Sequence, residues 1–181
     1  MTRWFGENWQ NYVKNIVTEK TVEEAKQSML RYLPAEEWKA NCFVDIGSGS
    51  GLFSLAAKCL GAKKVISFDY DPQSVTASGM MRNKFKDKYG IKDDDWEISE
   101  GSILDDKNVE KLKGKADIVY SWGVLHHTGN MWKAIENASK IPKKNGYFII
   151  AIYNETASSQ WWQTTKRWFS VLPDPIKLSS N

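Results

Sequence analysis

Side chains that hold soft metals are scarce in this chain. It has two histidines and two cysteines, and they form no Cys/His cluster, so no metal is expected. Cys42 and Cys59 fall in an expected strand and an expected helix and read as two buried, reduced thiols rather than a disulfide. Long apolar runs are missing too. Nothing approaches the ~20 residues of a membrane span, and the N-terminus lacks the apolar core of a signal peptide. A cytoplasmic protein is therefore expected. An excess of positive charge is also absent: 25 Lys and Arg against 22 acids leave +3, too little for a nucleic-acid-binding stripe. No internal repeat, low-complexity segment or interior linker occurs.

What the chain does have is one organising stretch, Phe43-Val44-Asp45-Ile46-Gly47-Ser48-Gly49-Ser50-Gly51-Leu52-Phe53-Ser54-Leu55. An apolar run, Cys42 to Ile46, breaks at three alternate glycines and resumes with helical spacing, which is the first half of a βαβ unit. Glycines at such a turn let the backbone pass close under a ligand, and the helix behind it offers N–H groups and a positive dipole end. The spacing does not fit the dinucleotide fingerprint G-x-G-x-x-G/A, because its third small residue would fall at Leu52. An acid, Asp45, ends the first strand. It would repel a pyrophosphate but suits a ligand carrying an ammonium and a sulfonium, and S-adenosylmethionine carries both.

Taken in order, residues 1–40 read as two helices. Phe5, Trp9, Tyr12, Val13 and Ile16 share one face of the first. The second starts at Thr21, with Glu24 completing a capping box, and stops before Pro34. The aromatic stripe suits both packing on the sheet and a lid over the cofactor. Lys64–Asp69 is the second strand. Asp69 ends it about twenty residues past the glycines, where an acid reaches ribose hydroxyls. Asp71-Pro72 then caps a helix that runs to Tyr89 and stops at Gly90, and Tyr70 is placed against an adenine face. Trp96–Glu100 is the third strand and Ala116–Ser121 the fourth. The fourth delivers Trp122-Gly123-Val124-Leu125-His126-His127-Thr128 to the carboxyl edge of the sheet, where ligands of open parallel sheets sit. Asn130 caps another helix, and Lys143–Gly146 form a turn. Tyr147–Tyr153 is an apolar fifth strand that reads as central, and an aromatic helix follows at about 158–171.

With these pieces in place, the chain resembles the class I S-adenosylmethionine-dependent methyltransferases. The matching segments are Val44–Gly51, Phe68–Pro72, Gly101–Leu104, Asp117–Thr128 and Asn145–Ile152. More narrowly, Ser121–Gly129, Phe5–Trp9 and Ile150–Asn154 are similar to a bacterial group labelled methyltransferase-domain or ubiquinone-biosynthesis-like methylases. The resemblance implies an α/β, Rossmann-like three-layer sandwich with a mainly parallel sheet of order 3-2-1-4-5. A helical lid at 1–40 would precede a cofactor-binding core at 41–155, and an aromatic helix and tail would follow at 156–181. It implies cofactor contacts from Asp45, Gly47, Ser48, Gly49, Gly51, Asp69, Tyr70, Ser102, Ile103, Ser121 and Trp122, and lid or substrate contacts from Trp9 and Tyr12. Ser102 stands where the family often has an acid for the adenine amino group. The family sheet has seven strands. Five are counted here, so the usual C-terminal hairpin is missing from the expectation; the aromatic helix with Trp161, Trp162 and Trp168 is expected to cover one face, with some self-association through the fifth-strand edge.

Methyl transfer from a sulfonium is an in-line displacement in which the protein aligns the acceptor and, where needed, removes its proton. His126 and His127 stand where the acceptor approaches, and either suits proton removal. The fourth strand lacks the Asn/Asp-Pro-Pro-Tyr/Phe end of methylases of base amines and glutamine amides, and no Pro-Cys nucleophile follows it. A small-molecule acceptor methylated on oxygen, nitrogen or carbon is the leading expectation. A cofactor-binding domain without catalysis and a nucleic-acid methyltransferase are the alternatives.

Overall fold

The computed structural model describes residues 3–153, with side chains described from Asn8 onward; the segment 156–181 and the helix expected at 158–171 lie outside the described residues. The elements are α1 (Arg3–Asn15), α2 (Glu19–Met29), β1 (Cys42–Ile46), α3 (Leu52–Leu60), β2 (Lys64–Asp69), α4 (Pro72–Tyr89), β3 (Trp96–Glu100), α5 (Asp106–Leu112), β4 (Ala116–Trp122), α6 (Met131–Ser139) and β5 (Pro142–Ala151). The five strands form one parallel sheet in the order β3-β2-β1-β4-β5. This is the Rossmann-like architecture expected, with β1 at the centre and the chain reversing direction of travel between β3 and β4.

Alternation along the strands splits the core in two. Phe43, Val65, Ile118 and Tyr120 face a cluster built with Val13, Val22, Met29, Leu55 and Met81, from α1 to α4. Val44, Ile46, Phe68 and Val119 face the other way, onto Val109, Ala134 and Ala138 of α5 and α6. Burial on both faces explains why the inner strands read as unbroken apolar runs. Helices α1 and α2 thus share a core with the sheet. Lys84 of α4 donates to the carbonyls of Val13 and Val17, both at 2.8 Å, and so satisfies the carboxyl end of α1.

Several local expectations are corrected. Helix α2 begins one turn early: Thr18 is its N-cap, and Thr21, expected as the cap, closes the capping box from inside. The helix ends at Met29, short of the expected Leu33, and an irregular segment to Ala40 buries Trp38, whose indole donates to the Leu33 carbonyl at 3.1 Å. In the stripe expected on the first helix, Val13 is buried and Tyr12 packs on the core, but α1 ends at Asn15, and just past it Ile16 is 61% exposed while Val17 turns into the core. Strand β5 starts at Pro142, not Tyr147. Ala116 pairs with Pro142 and Ile118 already with Tyr147, so Lys143–Gly146 loop out as an irregularity within the strand, around Asn145 at φ +67°. The fifth strand also lies at the sheet edge, not the centre, among the described residues. None of their helices is long and apolar enough to cross a membrane.

Candidate active site

The chain leaves β1 through three left-handed glycines, Gly47, Gly49 and Gly51, at φ +73°, +53° and +77°. A side chain there is strained in any surroundings. The amides of Gly47 and Ser48 donate to the Phe68 carbonyl at 2.8 and 3.2 Å, laying the turn across the end of β2. Asp69 completes the closure: one carboxylate oxygen accepts from the Gly49 N–H at 2.9 Å, the other from the Asp71 N–H at 3.0 Å. Burial raises the Asp69 pKa, and these backbone donors act against that rise. Asp71 caps α4 by accepting from Gln73 N–H at 3.0 Å. Under the turn, the Ser48 and Ser78 hydroxyls lie 3.1 Å apart, and Ser78 donates to the Gly49 carbonyl at 3.2 Å. Helix α3 starts at Leu52 with Gly51 as its N-cap and no side chain bonded to its first amides.

Asp45 is 3% exposed and accepts from the Ser54 hydroxyl at 2.6 Å. Burial pushes its pKa up to about 7, against the Ser54 bond and with a smaller contribution from Asp69. Its place is beneath the turn. Ser121 is fully buried and donates to the Ile46 carbonyl at 3.2 Å, so its side chain ties β4 to β1 and does not face the groove. Tyr70 is 71% exposed beside Asp69. At the end of β3, Ser102 accepts from the Leu104 N–H at 3.1 Å, and Ile103 is buried with its carbonyl held by Asn137 at 2.9 Å.

The end of β4 packs against this turn. A Cβ built on Gly47 would lie 2.4 Å from Val124 Cγ1, so the loop carrying both histidines rests directly on the glycine backbone. Trp122 stacks on buried Tyr120 at 5.8 Å and 10°, and meets Phe53 at 6.4 Å and Tyr32 at 5.4 Å. The His126 and His127 rings lie 3.9 Å apart on a short helical turn, Leu125–His127. Burial, then His127, hold the His126 pKa below its ordinary 6.5.

From the other side, the Trp9 indole lies on the turn: a Cβ on Gly49 would be 3.1 Å from Trp9 Cε2. Tyr12 meets Trp9 edge-on at 5.8 Å, and Gln10 donates to the Gln73 side chain at 2.8 Å, fixing α1 to the start of α4. Trp9 and the histidine loop therefore come together at one turn, while Tyr12 packs mainly on the core. Tyr32, Phe53 and Val124 complete the site. Sequence reading passed over them because their role depends only on where the backbone brings them. A polar cavity of about 240 Å³ lined by Glu36, Lys39, Asp117 and Lys143 opens at the amino end of the sheet, opposite this site.

A Rossmann-like sheet whose acid-ended glycine turn meets a histidine loop defines a class of nucleotide-cofactor group-transfer domains. Comparison with known proteins narrows it. The methyltransferase-domain family matches residues 18–174. Ribosomal protein L11 methyltransferase of Tolumonas auensis is 41% identical over 146 residues, covering 80% of this chain and 44% of that protein. Ubiquinone biosynthesis O-methyltransferase of Pelagibacter ubique is 29% identical over 116 residues, covering 64% and 43%. A solved S-adenosylmethionine-dependent methyltransferase of Aquifex aeolicus superposes with TM-score 0.60 at 16% identity, over 82% of this chain and 76% of that one, a likeness of fold. The chain spans less than half the length of the curated relatives it matches. It belongs to the methyltransferase-domain family, as a class I S-adenosylmethionine-dependent domain. The residues present fit that cofactor: a glycine backbone that no Cβ may fill, a carboxylate at the end of β2, an exposed ring at Tyr70, and first-turn amides of α3 without a side-chain cap.

Proposed function

We propose that this chain transfers a methyl group from S-adenosylmethionine to a small-molecule acceptor bearing a hydroxyl, amine or activated carbon. The observation that carries the reading is the contact between Val124 and Gly47, which seats the histidine loop on the cofactor turn. In this reading the bound cofactor supplies an electrophilic methyl on a sulfonium. The turn 47–51 supports its methionine end, with Asp45 buried beneath. Asp69 accepts from the ribose hydroxyls, since each of its oxygens keeps lone-pair capacity beyond its one backbone bond. Tyr70 and the Ser102-Ile103 backbone flank the adenine, and Trp9 covers the turn as part of a lid. His126 or His127 takes the proton of the acceptor, and Trp122 with Tyr32 forms an aromatic pair at the same end of β4. Helices α1 and α2 act as the lid segment 1–40 on the core 41–155.

A second reading, a protein acceptor, is favoured by one observation: several relatives are named ribosomal protein L11 methyltransferases. Methyl-labelled S-adenosylmethionine incubated with the chain and a cell extract separates the two. Label in the small-molecule fraction supports the first reading, and label in protein supports the second. Calorimetric cofactor binding with no label transferred would leave a binding domain without catalysis. We also propose association between copies through the outer edge of β5, which pairs with no strand among the described residues. Sedimentation showing a monomer at high concentration would overturn it.

A further inference from the structure

Tyr153 follows the carboxyl end of β5 and turns its ring onto the histidine turn. Its centroid is 4.8 Å from His126 with the planes at 63°, an edge-on contact, and 6.1 Å from His127 at 71°. The hydroxyl end lies against Gly123, where an added Cβ would be 2.7 Å from the Tyr153 oxygen and where φ is +73°. Gly123 donates to the Ala151 carbonyl at 2.9 Å, which fixes the exit of β5 two residues before Tyr153. The ends of β4 and β5 are thus tied so that this one ring stands over His126.

His126 is an unusual neighbour for it. Both ring nitrogens are shielded from water, and neither has a hydrogen-bond partner among the described residues. Leaving buried polar atoms unpaired is destabilising, so a packing role alone gives no reason to keep a histidine there. The ionisable groups around it do not relieve the cost. His127 shares its turn and Tyr153 meets it by a ring edge. Helix α6, which packs on the turn, engages its own charges elsewhere: Lys133 with Asp106 at 3.3 Å and Glu136 with Lys140 at 2.6 Å.

We propose that Tyr153 is a positioning residue whose ring, itself partly exposed, holds the His126 imidazole in one orientation with its two nitrogens shielded from water, ready to take the proton of an incoming hydroxyl or amine. Its purpose rests on the methyltransferase reading; its test does not. The role belongs to the ring, so Phe should replace Tyr153 and Ala should not.

The test is histidine NMR titration of the full chain without ligand. The chain has only two imidazoles, so an H127Q variant assigns the His126 signals. In the parent and in Y153F, His126 should titrate below 6.5. In Y153A, water reaches the ring and its midpoint should move up toward 6.5. Thermal melts confirm that the variants are folded, and Y153L serves if Y153A is not. A Y153A midpoint equal to the parent overturns the proposal, as does a Y153F midpoint that moves as far as that of Y153A. Once an acceptor is found, the acid limb of kcat should move to higher pH in Y153A and stay in place in Y153F. If no methyl transfer is found, the functional reading fails while the titration result stands by itself.

Discussion

The side chain of Asp69 closes the glycine turn by accepting the Gly49 N–H at 2.9 Å, twenty residues away in sequence. It also takes the Asp71 N–H, so one carboxylate joins the turn, the end of β2 and the start of α4. Replacing it removes an organiser of the turn and, in the proposed reading, a ribose acceptor together. Asp69→Ala should weaken S-adenosylhomocysteine binding by roughly 1.5–3 kcal/mol, the range for hydrogen bonds to a charged group. Asp69→Asn, which keeps one acceptor oxygen, should lose less. Calorimetry reads both, and an unchanged dissociation constant in Asp69→Ala would remove Asp69 from the cofactor site.

Gly47 tests the contact on which the functional reading stands. An alanine there faces two obstacles, a left-handed φ of +73° and Val124 Cγ1 at 2.4 Å. The histidine loop must shift or the turn must unwind, at a cost of about 1–3 kcal/mol for the backbone conformation alone. Gly47→Ala should lower the melting temperature and abolish methyl transfer. Gly47→Ala with Val124→Ala should recover part of the stability, because the double variant removes the clash but not the strain. Equal melting temperatures for the single and double variants would show that Val124 does not press on the turn.

Strand boundaries were legible where local chemistry is abrupt. Cys42–Ile46 and Lys64–Asp69 end at a glycine turn and at an acid, and Asp71-Pro72 marks the start of α4 as the structure has it. The capping box was misplaced by three residues because Thr18 and Thr21 are both able to cap, and only the preceding chain path decides between them. Exposure of Ile16 and burial of Val17 follow from the end of α1 at Asn15, past which helical periodicity no longer places the side chains. The expected order 3-2-1-4-5 placed β5 at the edge, as found, whereas its apolar run read as central, because such a run reports burial on its faces and says nothing about what pairs along its edges. Within the site, the glycines, Asp69 and the histidines stood out by type and spacing. Tyr32 and Tyr153 did not: Tyr32 lies in no motif, and Tyr153 lies in the matching segment Ile150–Asn154 but carries no role there. Ser121 carried a motif position but spends its hydroxyl on the Ile46 carbonyl.

Asp45 makes the unliganded domain sensitive to pH. Its pKa is raised from 3.8 to about 7 by burial. The folded state therefore holds a proton that the unfolded chain releases between these values. The resulting stabilisation is fully present below 3.8 and is lost as pH rises through about 7. Asp45→Asn removes this contribution, so the melting temperature of the parent should fall relative to that of the variant between pH 5 and 8. Parallel melting curves against pH would contradict a protonated, buried Asp45. If the ammonium of the cofactor draws Asp45 into its charged form, binding should release a proton near pH 6. Calorimetry in buffers of different ionisation enthalpy detects that proton, and Asp45→Asn should not show it.

Trp9 decides whether α1 is a lid or only a packing element. Val13 and Val17 are buried in the core, so deleting the helix would confuse the two roles. Trp9 is separable from them: it is 36% exposed, and its indole rests on Gly49 rather than in the core cluster. Trp9→Ala should therefore leave the melting temperature of the unliganded chain within a few degrees of the parent. It should weaken S-adenosylmethionine binding about tenfold, which corresponds to ~1.4 kcal/mol, because an aromatic face over the turn excludes water from the sulfonium end and attracts its charge. Val13→Ala serves as the counterpart, and should lower the melting temperature by opening a core cavity while changing affinity little. If Trp9→Ala loses stability and keeps the parent affinity, the indole is packing material and α1 is not a lid. If both variants lose affinity in proportion to stability, the helix acts on the site only by holding the domain together.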